Sequence, residues 1–147
     1  MPTAFGPQLI GETEKTLNAL LRRLLDGTGL TEPQWVTLRL AGLLDGTVDG
    51  GGLAAAVLDR AHFADASDVV GDLTARGLLD DGRLTSGGRD LLSTMQATIA
   101  AETAPIWDDL PAADVAATAR VLDAVVTRAR GVLGDLGPGT QGEAAPA

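Results

Sequence analysis

The stretch that decides the fold is Leu53 to Leu92, LAAAVLDRAHFADASDVVGDLTARGLLDDGRLTSGGRDLL. Within it, apolar residues follow Asp65 at spacings of three and four, which predicts an amphipathic helix with Asp65 as its N-cap. This helix is expected to end at Gly77, because glycine adopts the left-handed conformation of a helix C-terminus without steric cost. Asp80-Asp81-Gly82 then predicts a tight hairpin turn between two short strands.

The segments on either side of this stretch are also mostly helical by their sequence pattern. Thr31-Glu-Pro-Gln34 has the pattern of a capping box and predicts a helix to about Leu44, with Trp35, Leu38 and Leu43 toward the core. Four glycines in the next eight residues predict a loop. The other predicted elements are helices at Gln8–Leu25, Leu53–Leu58, Ala66–Arg76, Gly87–Asp108 and Pro111–Leu136, a loop at Asp45–Gly52, a turn at Asp59–Phe63 and a cap at Thr85.

The two long C-terminal helices have apolar stripes that a small lobe cannot bury alone; Leu122 and Val126 lie on the second of them. Packing with the N-terminal helix and with a second subunit would bury these stripes. The predicted fold is therefore mostly α with a small β-wing, a winged helix-turn-helix flanked by N- and C-terminal dimerisation helices. Residues 1–136 are assigned to this single domain and 137–147, GPGTQGEAAPA, to a disordered tail.

Two segments, LTARGLLDDGRLTSGGRDLL (73–92) and GLTEPQWVTLRLAG (29–42), resemble the winged-helix core of the multiple antibiotic resistance regulator (MarR) family. The resemblance covers about residues 8 to 135. The R-G-L-strand-turn-strand-L-T-x-x-G-R-x-L-L pattern is shared with several winged-helix families, and the flanking helices narrow it. The resemblance implies a homodimeric transcriptional regulator that binds double-stranded DNA and is released by a small-molecule ligand.

Composition limits the other possibilities. A length of 147 residues is typical of one domain, and the lack of cysteine excludes disulfides, thiolate metal sites and a thiol nucleophile. With His62 as the single histidine, we expect no metal site and no cofactor. No apolar segment approaches the length of a membrane span, and the N-terminus lacks the pattern of a signal peptide, so a cytoplasmic protein without membrane contact is expected.

The net charge of −9 is unusual for a nucleic-acid-binding protein, because affinity for duplex DNA comes largely from basic side chains. Residues 31–92 contain ten acidic and five basic side chains. The helix expected to read DNA contains Asp68 and Asp72, and the hairpin is short and acidic at its tip. These features are atypical of the resembling family, which usually has a longer basic wing. The residues assigned to DNA contact are Arg60, Ser67, Arg76, Arg83 and Arg89.

A ligand pocket is expected between the dimerisation helices and the winged-helix lobe. The resemblance and the clustering of the few aromatic and polar side chains assign Trp35, Arg39, His62 and Glu102 to it. No nucleophile-elbow pattern surrounds any serine, and the carboxylates fall at caps, turns and helix surfaces, so no catalytic residue is assigned and an ordinary enzyme is not expected.

Two functional hypotheses remain. The first is a dimeric MarR-type transcriptional regulator that binds DNA and responds to a small molecule. The alternative is a MarR-like protein that has lost DNA binding and acts as a small-molecule-binding or catalytic protein. Resemblance favours the first hypothesis and the distribution of charge favours the second.

Overall fold

A computed structural model describes residues Thr3–Gly137, and within this range the chain is mostly helical with one small antiparallel sheet. The predicted tail falls almost wholly on residues 138–147, which lie outside the described residues. The elements in chain order are α1 Pro7–Leu25, α2 Glu32–Leu44, α3 Gly50–Ala61, α4 Ala66–Ala75, β1 Leu79–Asp80, β2 Arg83–Leu84, α5 Ser86–Trp107 and α6 Ala112–Asp135. The chain divides into two compact units after Thr103.

Helix α2 lies at the centre of the first unit, where it packs against α1, α3, α4 and β2. The predicted capping box is confirmed: the Gln34 N–H donates to Thr31 Oγ1 (3.3 Å), and the Thr31 N–H donates to Gln34 Oε1 (3.0 Å). Trp35 and Leu38 are buried as expected. Leu43 is 71% exposed, so its predicted core position is wrong. Leu43 lies outside the stripe that faces α3 and α4.

Helix α3 is longer than the sequence predicts. It begins at Gly50, inside the predicted loop, and continues through Ala61, inside the predicted turn. The Asp49 side chain accepts a hydrogen bond from the Gly52 N–H (2.7 Å), and Leu53, Ala54 and Val57 are buried. Capping and packing therefore outweigh the low helix propensity of three consecutive glycines.

Helix α4 starts at Ala66 as predicted and buries Val69, Val70 and Leu73. Asp65 occupies the N-cap position as predicted, but its side chain makes no capping hydrogen bond. The predicted side-chain cap is therefore wrong, although its position is right. With φ −95° and ψ 23°, the Asp65 backbone departs from the extended conformation usual at an N-cap.

The end of α4 agrees with the prediction. Gly77 has φ +75°, its N–H donates to the Thr74 carbonyl (3.0 Å), and the Leu78 N–H donates to the Leu73 carbonyl (3.0 Å). This pair of bonds is a Schellman motif, which satisfies the last carbonyls of the helix. The chain leaves α4 directly into the hairpin.

The hairpin is short, with two residues in each strand. Leu79 pairs with Leu84 and Asp80 with Arg83, which leaves Asp81-Gly82 as a two-residue turn. Both turn residues have positive φ, 49° and 81°, as a type I′ turn requires. The turn is therefore one residue shorter than the Asp80-Asp81-Gly82 stretch that predicted it.

Thr85 joins the hairpin to α5. Its hydroxyl donates to the Gly77 carbonyl (2.6 Å) and accepts from the Gly88 N–H (3.0 Å). The predicted cap is thus confirmed, and it also connects the start of α5 to the end of α4. In α5, Leu92 and Met95 are buried.

Helix α6 belongs to the second unit, and none of its residues is buried in the described chain. Val115, Leu122, Val126 and Leu133 are among its exposed large apolar side chains. The apolar stripe predicted from the sequence is therefore present and uncovered in the single chain.

We expect Thr85→Val to lower the free energy of unfolding by about 1–2 kcal/mol, because valine keeps the shape but loses both hydroxyl bonds. Thr85→Ser keeps the hydroxyl and should lose less than half of that value. Urea unfolding followed by circular dichroism measures both variants. Equal stability of the valine variant and the wild type would contradict the role assigned to this cap.

Candidate functional site

The first unit contains an open groove of about 1140 Å³. Its walls come from α1, α2, the end of α3, β2 and the first half of α5. The lining side chains are both apolar and charged, as is common where a small molecule binds. They include Glu14, Asn18, Glu32, Val36, Arg39, Leu40, Leu43, Asp45, Arg60, His62, Phe63, Leu84, Arg89, Leu92 and Gln96.

Two of the four predicted pocket residues, Arg39 and His62, line this groove. Trp35 does not, because its side chain is 4% exposed and is part of the core below. Glu102 does not either; it is an exposed residue of α5, beyond Gln96, the last residue of this helix to reach the groove. Of the four predicted residues, the structure therefore brings Arg39 and His62 to one groove and leaves Trp35 and Glu102 outside it.

The groove also contains two arginines that the sequence analysis assigned to DNA, Arg60 and Arg89. Arg89 lies 3.8 Å from Asp45 in an exposed ion pair, which contributes little to stability. The spacing Arg89, Leu92 and Gln96 places these residues on one face of α5, so helical periodicity could have revealed this side of the groove.

His62 is held in the groove by backbone conformation. It is the C-cap of α3 with φ 59°, and its N–H donates to the Leu58 carbonyl (3.0 Å). The end of α3 therefore brings Arg60, His62 and Phe63 to one wall, while Arg39 on α2 and Arg89 on α5 also line the groove. Three arginines and one histidine face three carboxylates, Glu14, Glu32 and Asp45, so the groove is less acidic than the chain as a whole.

The outer face of α4 is the second candidate surface. Ser67, Asp68, Gly71 and Asp72 are exposed there. In the described part of the chain, the carboxylates of Asp68 and Asp72 have no hydrogen-bond or ion-pair partner. This face is thus acidic and formed by small side chains, without the Arg, Lys, Asn or Gln that usually read bases.

The remaining arginines assigned to DNA bind within the first unit. Arg76 Nη1 donates to the Gly29 carbonyl (2.9 Å) and to Gln34 Oε1 (3.3 Å), which ties the end of α4 to the start of α2. Arg83 Nη2 donates to the Gly46 carbonyl (3.5 Å). Both side chains are still exposed, so their remaining donors face solvent.

The described residues contain no cluster of three or more His, Asp or Glu side chains arranged to hold a metal ion. Within the same range, no helix is both long and apolar enough to cross a bilayer. Thr37 is a fully buried polar residue, and its hydroxyl donates to the Pro33 carbonyl (2.8 Å).

A scan of the sequence against models of known families, and searches of curated proteins and of solved structures, found no match.

Because Trp35 belongs to the core, we expect Trp35→Ala to cost about 3–5 kcal/mol, the usual loss for a buried aromatic side chain. Arg39→Ala, one helical turn away on the exposed side of α2, should change stability by less than about 0.5 kcal/mol. Chemical denaturation of the two variants distinguishes the core from the groove lining. A tryptophan variant as stable as the arginine variant would show that Trp35 does not anchor the core.

Proposed function

We propose that the chain is a winged helix-turn-helix protein of the MarR type that regulates transcription as a homodimer. The observation that carries this proposal is the order and packing of α2, α3, α4 and the hairpin. Three helices share one core, the last of them keeps an exposed face, and a hairpin follows it directly. In winged-helix proteins this arrangement presents the last helix to the major groove of DNA.

The proposed contacts to duplex DNA are limited in number. Arg60, Arg76, Arg83 and Arg89 are exposed, and Ser67 lies on the outer face of α4. Arg76 and Arg83 use some of their donors within the protein and keep others for phosphates. The small side chains of α4 let its backbone approach a partner closely.

The proposed homodimer is supported by the exposed stripe of α6. Trp107 at the end of α5 is 51% exposed, and Leu136 after α6 is 77% exposed. Contiguous apolar surface of this kind is rarely left in contact with water, since its burial is worth roughly 25 cal/mol per Å². A second copy of the chain exposes the same apolar stripe, so two copies can bury their stripes against each other.

The groove supports a response to a small-molecule ligand. Apolar walls from Val36, Phe63 and Leu92 combine with Arg39 and His62 in a volume that accommodates a small organic molecule. A ligand there would touch α2 and the end of α3, and both helices pack against α4. Binding could thus alter the placement of the DNA-reading helix.

A second candidate function is a ligand-binding protein of the same fold that does not bind DNA. Asp68 and Asp72 on the outer face of α4 favour it, because they would face phosphates and bases without a compensating cation. Arg60 and Arg89 favour it as well, since they line the groove.

Fluorescence anisotropy with the DNA upstream of the coding region, measured at low and moderate salt, decides between the two candidates. For the regulator, the plot of log affinity against log salt should have a slope no steeper than about −7, the value for four phosphate contacts per subunit at roughly 0.9 each. Asp68→Asn combined with Asp72→Asn should strengthen binding up to about tenfold, because it removes charges that repel phosphates.

A matched control is Asp108→Asn with Asp109→Asn, which removes the same charge outside the first unit and should leave affinity within about twofold. Absence of binding at low salt, before and after the α4 substitutions, would support the second candidate. A steeper slope would show that the DNA surface lies elsewhere on the chain.

For the dimer, we expect Leu122→Asp or Val126→Asp to abolish association and to leave the core of the first unit folded, because the charge would be buried only at the interface, where it costs several kcal/mol. Thr127→Asp, on the opposite side of α6, should retain the dimer. Sedimentation velocity at micromolar concentration and circular dichroism measure the two effects. A wild-type protein that sediments as a stable monomer would contradict the proposal.

A further inference from the structure

The tip of the hairpin does not project freely from the first unit. The Gly50 N–H at the start of α3 donates to Asp81 Oδ1 (3.2 Å), across thirty-one residues of sequence. Gly50 is in the first turn of α3, where backbone N–H groups lack partners within the helix. Asp81 therefore supplies a second cap to α3, in addition to the Asp49 side chain that binds the Gly52 N–H.

The backbone of the tip also lies directly against the backbone of this cap. A β-carbon added to Gly82 would lie 2.6 Å from both the carbonyl carbon and the oxygen of Asp49, and 2.8 Å from the Gly50 nitrogen. Gly82 is buried and has φ +81°. Position 82 thus requires glycine for two separate reasons, a left-handed conformation and a close backbone approach.

A third contact holds the residue that directly follows the tip. Arg83 Nη2 donates to the Gly46 carbonyl (3.5 Å), so the side chain of β2 reaches the connection between α2 and α3. Each strand is only two residues long, and no part of the hairpin extends beyond the Asp81-Gly82 turn.

We propose that Asp81 is a positioning residue that fixes the hairpin tip on the start of α3, and that the hairpin takes no part in reading DNA through the minor groove. The second half of this inference rests on the proposed function. Wings that read the minor groove insert a side chain, usually arginine, from a protruding tip. Here the tip is Asp81-Gly82, it is packed on α3, and the adjoining Asp49, Asp80 and Asp81 repel phosphates. Sequence is then read through the major groove alone.

The positioning role is tested without DNA. In Asp81→Gly, which suits the positive φ but lacks the acceptor, amide hydrogen exchange in the first turn of α3 should become roughly tenfold faster, the effect of losing a helix cap. Asp81→Asn keeps the Oδ1 acceptor and tolerates positive φ, so it should restore wild-type exchange. Unchanged exchange in the glycine variant would overturn the positioning role, as would equal acceleration in both variants.

A second pair of variants separates backbone contact from backbone strain. Gly77→Ala introduces strain at φ +75° with no atom within 4 Å of the added carbon, whereas Gly82→Ala introduces similar strain together with the contact to Asp49. Exchange in the first turn of α3 should accelerate in the second variant and stay at the wild-type rate in the first. The same exchange pattern in both would show that the tip does not depend on its contact with α3.

The reading mode is tested on duplexes that the wild-type protein selects from a random library. Replacing guanine by inosine, or adenine by 2,6-diaminopurine, changes the amino groups in the minor groove and leaves the major-groove edge of guanine or adenine in place. We expect the Kd to stay within about twofold at every position. A tenfold loss at positions flanking the central contacts would overturn the inference about the wing, while DNA binding itself would stand.

Failure of the proposed function would appear in the DNA selection and not in the hydrogen-exchange experiments. If the selection enriches no sequence, the regulator proposal fails, and with it the statement about the minor groove. The hydrogen-exchange results for the Asp81 and Gly82 variants still decide the positioning role, because they require only the folded protein.

Discussion

The first unit depends on the burial of three leucines, one from each helix of its core. Leu38 of α2, Leu53 of α3 and Leu73 of α4 are each 0% exposed. Full burial of a leucine side chain is worth roughly 1.5–3 kcal/mol. Because core side chains are closely packed, a substitution at any of the three positions disturbs the packing of all three helices. Their burial in one cluster goes with the pairwise packing of α2, α3 and α4.

Helix α2 links this core to both candidate surfaces. Its buried side includes Trp35 and Ala41, and its other side contributes Val36 and Arg39 to the groove. Gln34 of the same helix accepts a hydrogen bond from Arg76 at the end of α4. A molecule bound in the groove would therefore contact a helix that is hydrogen-bonded to the end of α4.

The distribution of charged side chains limits how the protein can bind DNA, which is a polyanion. The net charge is −9, and the exposed carboxylates of α4 and of the hairpin lie where winged-helix proteins usually place cations. All five arginines in residues 31–92 either line the groove or donate to backbone carbonyls of neighbouring loops. Arg39, Arg60 and Arg89 line the groove, Arg89 beside Asp45, and Arg76 and Arg83 are the donors. Any interaction of these residues with DNA must accordingly rely on few ion pairs, and their number limits how steeply the affinity can fall with salt.

The features that could be predicted from the sequence alone depend on residues close together in the chain. The Thr31–Gln34 capping box, the end of α4 at Gly77, the Asp81-Gly82 turn and the Thr85 cap each involve residues within a few positions of one another, and all were predictable. Helical periodicity likewise indicated the apolar stripe of α6 and most helix boundaries.

The features that join residues distant in sequence became visible only once the helices and the hairpin were packed together. Helix α3 begins at Gly50 rather than Leu53, and the Asp81 side chain from the hairpin caps that start as Asp49 does locally. Arg60 and Arg89, assigned to DNA from the sequence, line the groove with Arg39, because the packing of α2, α3 and α5 brings their side chains together. Local propensity contains no information about such contacts, since their energy arises only when the separate elements pack together.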